Sequence, residues 1–203
     1  MAKEIGPSSY LLYQASLNTE IMPEELRTAY VVPVFKNGER YREENYRPIS
    51  LTSIYCKVIE HIIVSSIRDF AEKQNIMCPE QHFLYKCHSC KSQLLGFVGE
   101  AMERDCLVDV LMMRLTIDFS KAFDMVCHNF LIDKLCHHRI QGMINLLIKH
   151  FLAYRRQSVL LLVGGSRSEF APVESGVPKG LVLGLALFLL YINGLPEGLT
   201  SRG

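Results

Sequence analysis

The residues "LVLGLALFLLYI", 181–192, are the longest unbroken apolar run in the chain, and they limit what it can fold into. As a helix they reach only about 18 Å at 1.5 Å per residue, against a bilayer core of roughly 30 Å. The run is too short to span a membrane and too apolar to face water, so it predicts a helix buried in a protein core. The segment "MAKEIGPSSYLLYQ" has no cationic stretch followed by an apolar one, so neither a signal peptide nor a transmembrane segment is expected. Seven cysteines make an odd count without framework spacing. Reduced thiols in an intracellular protein, nuclear or cytoplasmic, are therefore expected.

A buried helix needs a core around it. The chain has 203 residues, 49% hydrophobic and 21% charged, enough for one domain or for one domain with a smaller lobe. The formal charge of +1, from 22 basic and 21 acidic residues, excludes a generally cationic nucleic-acid binder. Any such binding would rest on a local basic patch.

Residues 1–22 read as a leader with a short helical patch. "YVVPVF", 30–35, is a strand whose proline favours an edge or a bulge. Asn37-Gly38 signals a turn, after which "YRPISL" returns as a second strand. From Thr52 to Gln74 the spacing is helical. Ile54, Val58 and Ile62 form one row, Ile59, Ile63, Ile67 and Phe70 another, and together they predict one apolar face. Asp69 and Lys73 sit i,i+4 on its outer side. A less regular stretch, 75–90, leads to a predicted helix at 91–104 and a strand ending at Asp118. Helices follow at 129–138 and 143–154. "QSVLLLV", Gly164-Gly165 and "RSEFAPV" read as a hairpin, and "SGVPKG" opens the apolar helix. There is no internal repeat, and the interleaving of helices and strands predicts an α+β fold.

Three places offer chemistry, each with a plain alternative. Asp118 in "IDFSKAFD" sits where a strand gives way to a turn, a position for a metal-binding carboxylate or simply for a helix cap. Lys36 and Arg47 flank one hairpin and could address an anion, or could be two solvated charges. In "SGVPKG", Gly176 and Gly180 bracket Pro178 before a helix. Backbone N–H groups there could face a phosphate or a base pair, or form an ordinary strand-to-helix turn.

The order of the segments carries more than any one of them. "RTAYVVPVFKNG", "ENYRPISLTSIYCKVIEHII", "IDFSKAFDMVCHNFLIDKL", "SGVPKGLVLG" and "LFLLYINGLPEGL" follow one another along the chain. Together they closely resemble the reverse transcriptase domain of non-LTR (LINE-type) retrotransposons, from about Pro23 to Leu199. "NYRPISL" and "DFSKAFD" are especially specific to that family. The resemblance implies an RNA-directed DNA polymerase with a right-hand shape: fingers over 23–107 and a partial palm over 108–203, with the thumb absent. It implies Mg²⁺ as cofactor, and an RNA template, a DNA primer and a deoxynucleoside triphosphate as partners. No membrane and no protein partner follow from it. By motif, Asp118 matches the first metal-binding aspartate, with the Phe119 carbonyl beside it. Lys36 and Arg47 match contacts to the triphosphate, and Phe123 the aromatic that crowds the 2′ position. Lys179 and Gly180 match nucleotide contacts. Pro178 and Gly176 match the support for the template and base pair.

The departures matter as much. In the family Asp118 is joined by two aspartates preceded by Ala, beyond the "YIN-LP" segment, and the chain stops at "GLTSRG" before that hairpin. Asp124 belongs to the family pattern but is not that ligand. A domain fragment inactive on its own, holding Mg²⁺ weakly, is therefore expected. The alternative is a domesticated non-catalytic relic that binds RNA, nucleotide or a protein partner. "QHFLYKCHSC", 81–90, has lost two glycines and two arginines of the pattern. Lys179 stands at a family Gln, Leu181 and Leu185 at Ser and Pro, and Gly194 at Asp. Cys78, His82, Cys87 and Cys90 imitate a zinc set, but only Cys87 and Cys90 have tight spacing, so drift explains them better. Without the hairpin, the helix at 181–192 is expected to leave an exposed apolar patch.

Overall fold

A computed structural model describes residues 2–78, 91–92, 94–96, 98–99, 121–161 and 164–195. Helix α1 (Ala2–Thr19) is longer than the short patch expected, and Pro7 lies inside it. Its extent follows from packing. Tyr13 and Ser16 are buried, and Leu12 and Leu17 lean on the core beside α5 (Met143–Ala153). The Tyr13 hydroxyl also donates to the Tyr55 carbonyl at 3.1 Å. A short helix, α2 (Glu24–Arg27), leads into β1 (Thr28–Phe35). The chain then bends at Asn37-Gly38, makes a 3₁₀ turn (Glu43–Asn45) and returns as β2 (Tyr46–Leu51).

Two further strands, β3 (Arg156–Val159) and β4 (Ala171–Pro172), complete a sheet of order β2-β1-β3-β4. β1 runs antiparallel to β2 and parallel to β3, while β3 and β4 are the antiparallel pair expected around Gly164-Gly165. Pro33 thus lies on an inner strand rather than an edge. It is tolerated because Pro33 faces Pro48, and the pairing of β1 with β3 runs only from Thr28 to Val31. Neither proline nitrogen is asked for a ladder bond.

Helix α3 (Ile54–Gln74) is capped by Ser53, whose Oγ accepts from Cys56 N at 3.1 Å, and ends at Asn75 with φ 52°. Its apolar face is narrower than the spacing predicted. Ile59, Ile63 and Ile67 are buried against α6 (Val182–Ile192), but Ile54 is 78% exposed and Val58 and Ile62 are exposed too. Successive residues turn about 100° around a helix, so a single packed neighbour covers one of these rows and not both. Helices α4 (His128–His137) and α5 complete the core, with α4 packed on both α5 and α6.

Helix α6 is the centre of this arrangement. Leu183, Ala186, Leu187 and Leu190 are fully buried, and no residue of 181–192 is exposed. The expected patch on this helix is therefore corrected. α3 and α4 flank it, so its leucines find partners without the hairpin. Among the described residues no helix is long and apolar enough to cross a membrane.

Candidate functional site

The loop 175–180 ahead of α6 is tied to the turn 121–125 by a dense set of short contacts. Val177 N donates to Phe123 O at 2.8 Å and Gly176 N to Val126 O at 2.8 Å. Ser175 Oγ donates to Asp124 O at 3.1 Å, and His128 Nε2 lies 2.8 Å from Gly176 O. The Lys179 ammonium reaches Asp124 Oδ2 at 2.5 Å, a half-exposed ion pair of the kind that adds little stability by itself. Two glycines permit the closeness. Gly176 has φ +84°, and a Cβ there would lie 2.8 Å from Phe123 O; a Cβ on Gly184 would lie 2.0 Å from Pro178 O. Sequence spacing marked Gly176 but gave no sign of Gly184, whose role depends on a contact between helix and loop.

This loop meets β2. Arg47, Pro48 and Ile49 together with Lys179 and Gly180 line an open pocket of about 300 Å³. The structure thus brings together three of the predicted nucleotide residues, Arg47, Lys179 and Gly180. Lys36 stands at the end of β1, exposed, its N–H donating to Asn45 O at 2.8 Å. The register places it two residues beyond the pair Val34↔Arg47, on the same side of the ribbon. Lys36 is not among the residues lining the pocket. Phe123 lies in the turn, as expected, but its ring stacks on Phe188 of α6 at 4.5 Å, beside the core rather than in this pocket.

Behind the pocket is a buried polar group that sequence reasoning missed. Glu60 and Arg155 are 1% and 4% exposed. The Cys56 thiol donates to Glu60 Oε1 at 3.1 Å, and burial pushes that thiol well above its ordinary range. Burial also raises the Glu60 carboxyl, opposed by the Cys56 thiol, the Leu183 N–H and Arg155. The Leu183 N–H lies in the first turn of α6, where Leu181 makes no side-chain cap, and it favours the ionised form of Glu60 from across the α3–α6 contact. A signal existed: Glu60 falls beside the buried row Ile59, Ile63 and Ile67. Arg155 gave none, because only the tertiary fold turns it inward.

Asp118, Phe119, the strand expected before Asp118, His82, Cys87 and Cys90 lie outside the described residues. Of the zinc-like set Cys78 is described. Its thiol donates to the Asn193 carbonyl at 2.8 Å and its N–H to Asn193 Oδ1 at 3.0 Å. Among the described residues no group of three His, Cys, Asp or Glu side chains is placed to hold a metal ion.

Residues 34–202 match the family described as reverse transcriptase (RNA-dependent DNA polymerase). The chain is 30% identical over 188 residues to a probable RNA-directed DNA polymerase from transposon X-element of Drosophila melanogaster. It is 28% identical over 190 residues to a probable RNA-directed DNA polymerase from transposon BS of the same species. With the RNA-directed DNA polymerase from mobile element jockey, also of that species, identity is 27% over 192 residues. Each comparison covers 92% of this chain and 20% of the relative, so the chain spans about a fifth of the length of the curated relatives it matches.

Proposed function

Because this chain belongs to the reverse transcriptase family, we propose that it is the nucleotide-handling part of an RNA-directed DNA polymerase of the non-LTR retrotransposon type. Its ligands are an RNA template, a DNA primer and a deoxynucleoside triphosphate. Residues 23–107 serve as fingers and 108–203 as part of the palm. The observation that carries this reading is the pocket where Arg47 of β2 meets Lys179 and Gly180 of the loop before α6.

The chemistry of that pocket suits a polyphosphate. The Arg47 guanidinium can hold two oxygens of one phosphate in its planar fork. Lys36, further along the same ribbon, adds a point charge at the outer end. Gly180 carries no side chain to keep a nucleotide away from the backbone. Pro178 and Gly176 present the loop to the template base pair, and the bonds to Phe123 and Val126 hold that loop in place. Lys179 divides its charge between the pocket and Asp124. Phe123, the residue that by motif crowds the 2′ position, is stacked on Phe188 beside the core and does not line this pocket, so its part is to hold the turn 121–125 to which the loop is bonded.

Asp118 and the Phe119 carbonyl are the residues that would hold Mg²⁺. Asp124 does not fit that role, because its carboxylate is engaged by Lys179. When bound, the ion supplies charge stabilisation to the phosphoryl oxygens.

Titration of the purified chain with a deoxynucleoside triphosphate tests the reading. Arg47→Ala should weaken binding by about tenfold or more, equivalent to roughly 1.4 kcal/mol, as expected for loss of a charge-assisted contact. Lys36→Ala should weaken it less. Equal affinity in the wild type and Arg47→Ala would remove the pocket from the proposal.

A further inference from the structure

A second, smaller cavity lies directly behind the Arg47 pocket. It measures about 110 Å³, between the inner face of β1, β2 and β3 and the segment 173–179. Pro48 and Lys179 line both spaces, so the two adjoin. The wall of the inner one holds Ser50, Arg155, Gln157, Ser175 and the Lys179–Asp124 pair.

Arg155 makes this cavity unusual. Its side chain is 4% exposed, yet its guanidinium makes one hydrogen bond among the described residues, from Nη2 to Ser50 Oγ at 3.3 Å. Among the described residues no carboxylate lies within ion-pair distance of it. Burial makes its charge costly, and Glu60 offsets that cost only at longer range. A guanidinium has five N–H donors, and buried donors need acceptors. The cavity provides room for them, being several times the space one water requires. Among the described residues that line it the formal charges sum to positive: Asp124 is matched by Lys179, and Arg155 remains. The Ser50 oxygen accepts from Arg155, leaving its own proton free to donate inward. Ser175 spends its proton on Asp124 O.

We propose that this inner cavity is a phosphate subsite, in which Arg155, with Ser50 and Gln157, receives one phosphate oxyanion of the nucleotide or nucleic-acid strand lying in the Arg47 pocket. The inference rests on the polymerase reading for the source of the phosphate, but the subsite can be measured apart from it. Tetrahedral phosphate oxygens accept from several directions at once, which suits a fork, an amide and a hydroxyl arranged around a small space.

The probe is inorganic phosphate, titrated into the purified chain at constant ionic strength and followed by thermal unfolding and by ³¹P resonance. Saturable binding is expected in the wild type, and loss of all phosphate binding in Arg47→Ala would place the ion in the outer pocket and overturn the proposal. Gln157→Glu keeps the side chain's size and sets a carboxylate beside Arg155, so phosphate should bind at least tenfold more weakly. Arg155→Lys should weaken binding by several-fold; if that variant does not fold, Gln157→Glu still decides. Equal phosphate affinity in the wild type and Gln157→Glu would overturn the proposal. So would the absence of saturable binding, which would mean a cavity holding water only. Parallel arms with a deoxynucleoside triphosphate and a single-stranded oligonucleotide identify the source. Nucleotide binding without phosphate binding leaves the polymerase reading standing and removes this subsite. Phosphate binding without either larger ligand does the reverse.

Discussion

Single residues carry the geometry of this site, and Gly184 is the sharpest case. In a helix interior alanine is normally the better residue, so Gly184→Ala should stabilise α6 by about 1 kcal/mol on propensity alone. The Cβ would instead arrive 2.0 Å from the Pro178 carbonyl, which is backbone and cannot swing aside. Overpacking of this kind typically costs about 1–3 kcal/mol, so net destabilisation is expected, with a fall in thermal midpoint of about 2–4 °C per kcal/mol. A midpoint at or above that of the wild type would mean that the loop yields freely. Glu60 supports a prediction of a different kind. Burial raises its carboxyl in the folded state, so on raising the pH the unfolded chain ionises first. Its contribution to stability is therefore whole below the ordinary glutamate range and is lost as pH rises through the folded value. Glu60→Gln should gain on the wild type as pH climbs from about 4 to 7, read as the difference between their denaturant midpoints. A difference that stays constant with pH would show that Glu60 ionises alike in both states.

At the scale of elements, α3 separates what a sequence pattern promises from what packing delivers. Two isoleucine-rich rows invite the same reading, yet Ile63 is buried while Ile54 stands 78% exposed. Ile63→Ala should cost about 2–5 kcal/mol, the usual range for emptying a core site, whereas Ile54→Ala should stay within about 0.5 kcal/mol. Comparable losses at both positions in denaturant titrations would mean that Ile54 is covered in solution. The β1–β2 ribbon shows the opposite lesson. Asn37-Gly38 and the flanking strands were enough to place Lys36 and Arg47 on one ribbon, because antiparallel pairing is local in sequence.

Catalysis draws on several elements at once. Two-metal phosphoryl transfer needs carboxylates from more than one element, clamping ions roughly 3.5–4 Å apart. These 203 residues contain Asp118 but not the aspartate pair that the resemblance expects beside it. The polypeptide on its own should therefore bind nucleotide yet fail to extend a primer in Mg²⁺ on either RNA or DNA. Primer extension with the purified chain measures this, with Asp118→Asn as the control for a contaminating polymerase. Template-dependent incorporation that vanishes in Asp118→Asn would defeat the expectation.

The sequence by itself determined the family, the order of the elements and the positions that bear charge or flexibility. These are written in local spacing: an apolar run before α6, a turn dipeptide before β2, glycines around Pro178. Only the tertiary structure decided which of them meet. Arg47 and Lys179 come from distant parts of the chain and share a pocket because the loop before α6 packs against β2. Glu60 is buried between α3 and the start of α6, and Arg155 turns inward behind the same loop. Phe123 stacks on Phe188. Each of these is a contact between elements, set by how the buried faces of α3, α4 and α6 fit together, and periodicity within one element holds no information about its neighbour's side chains.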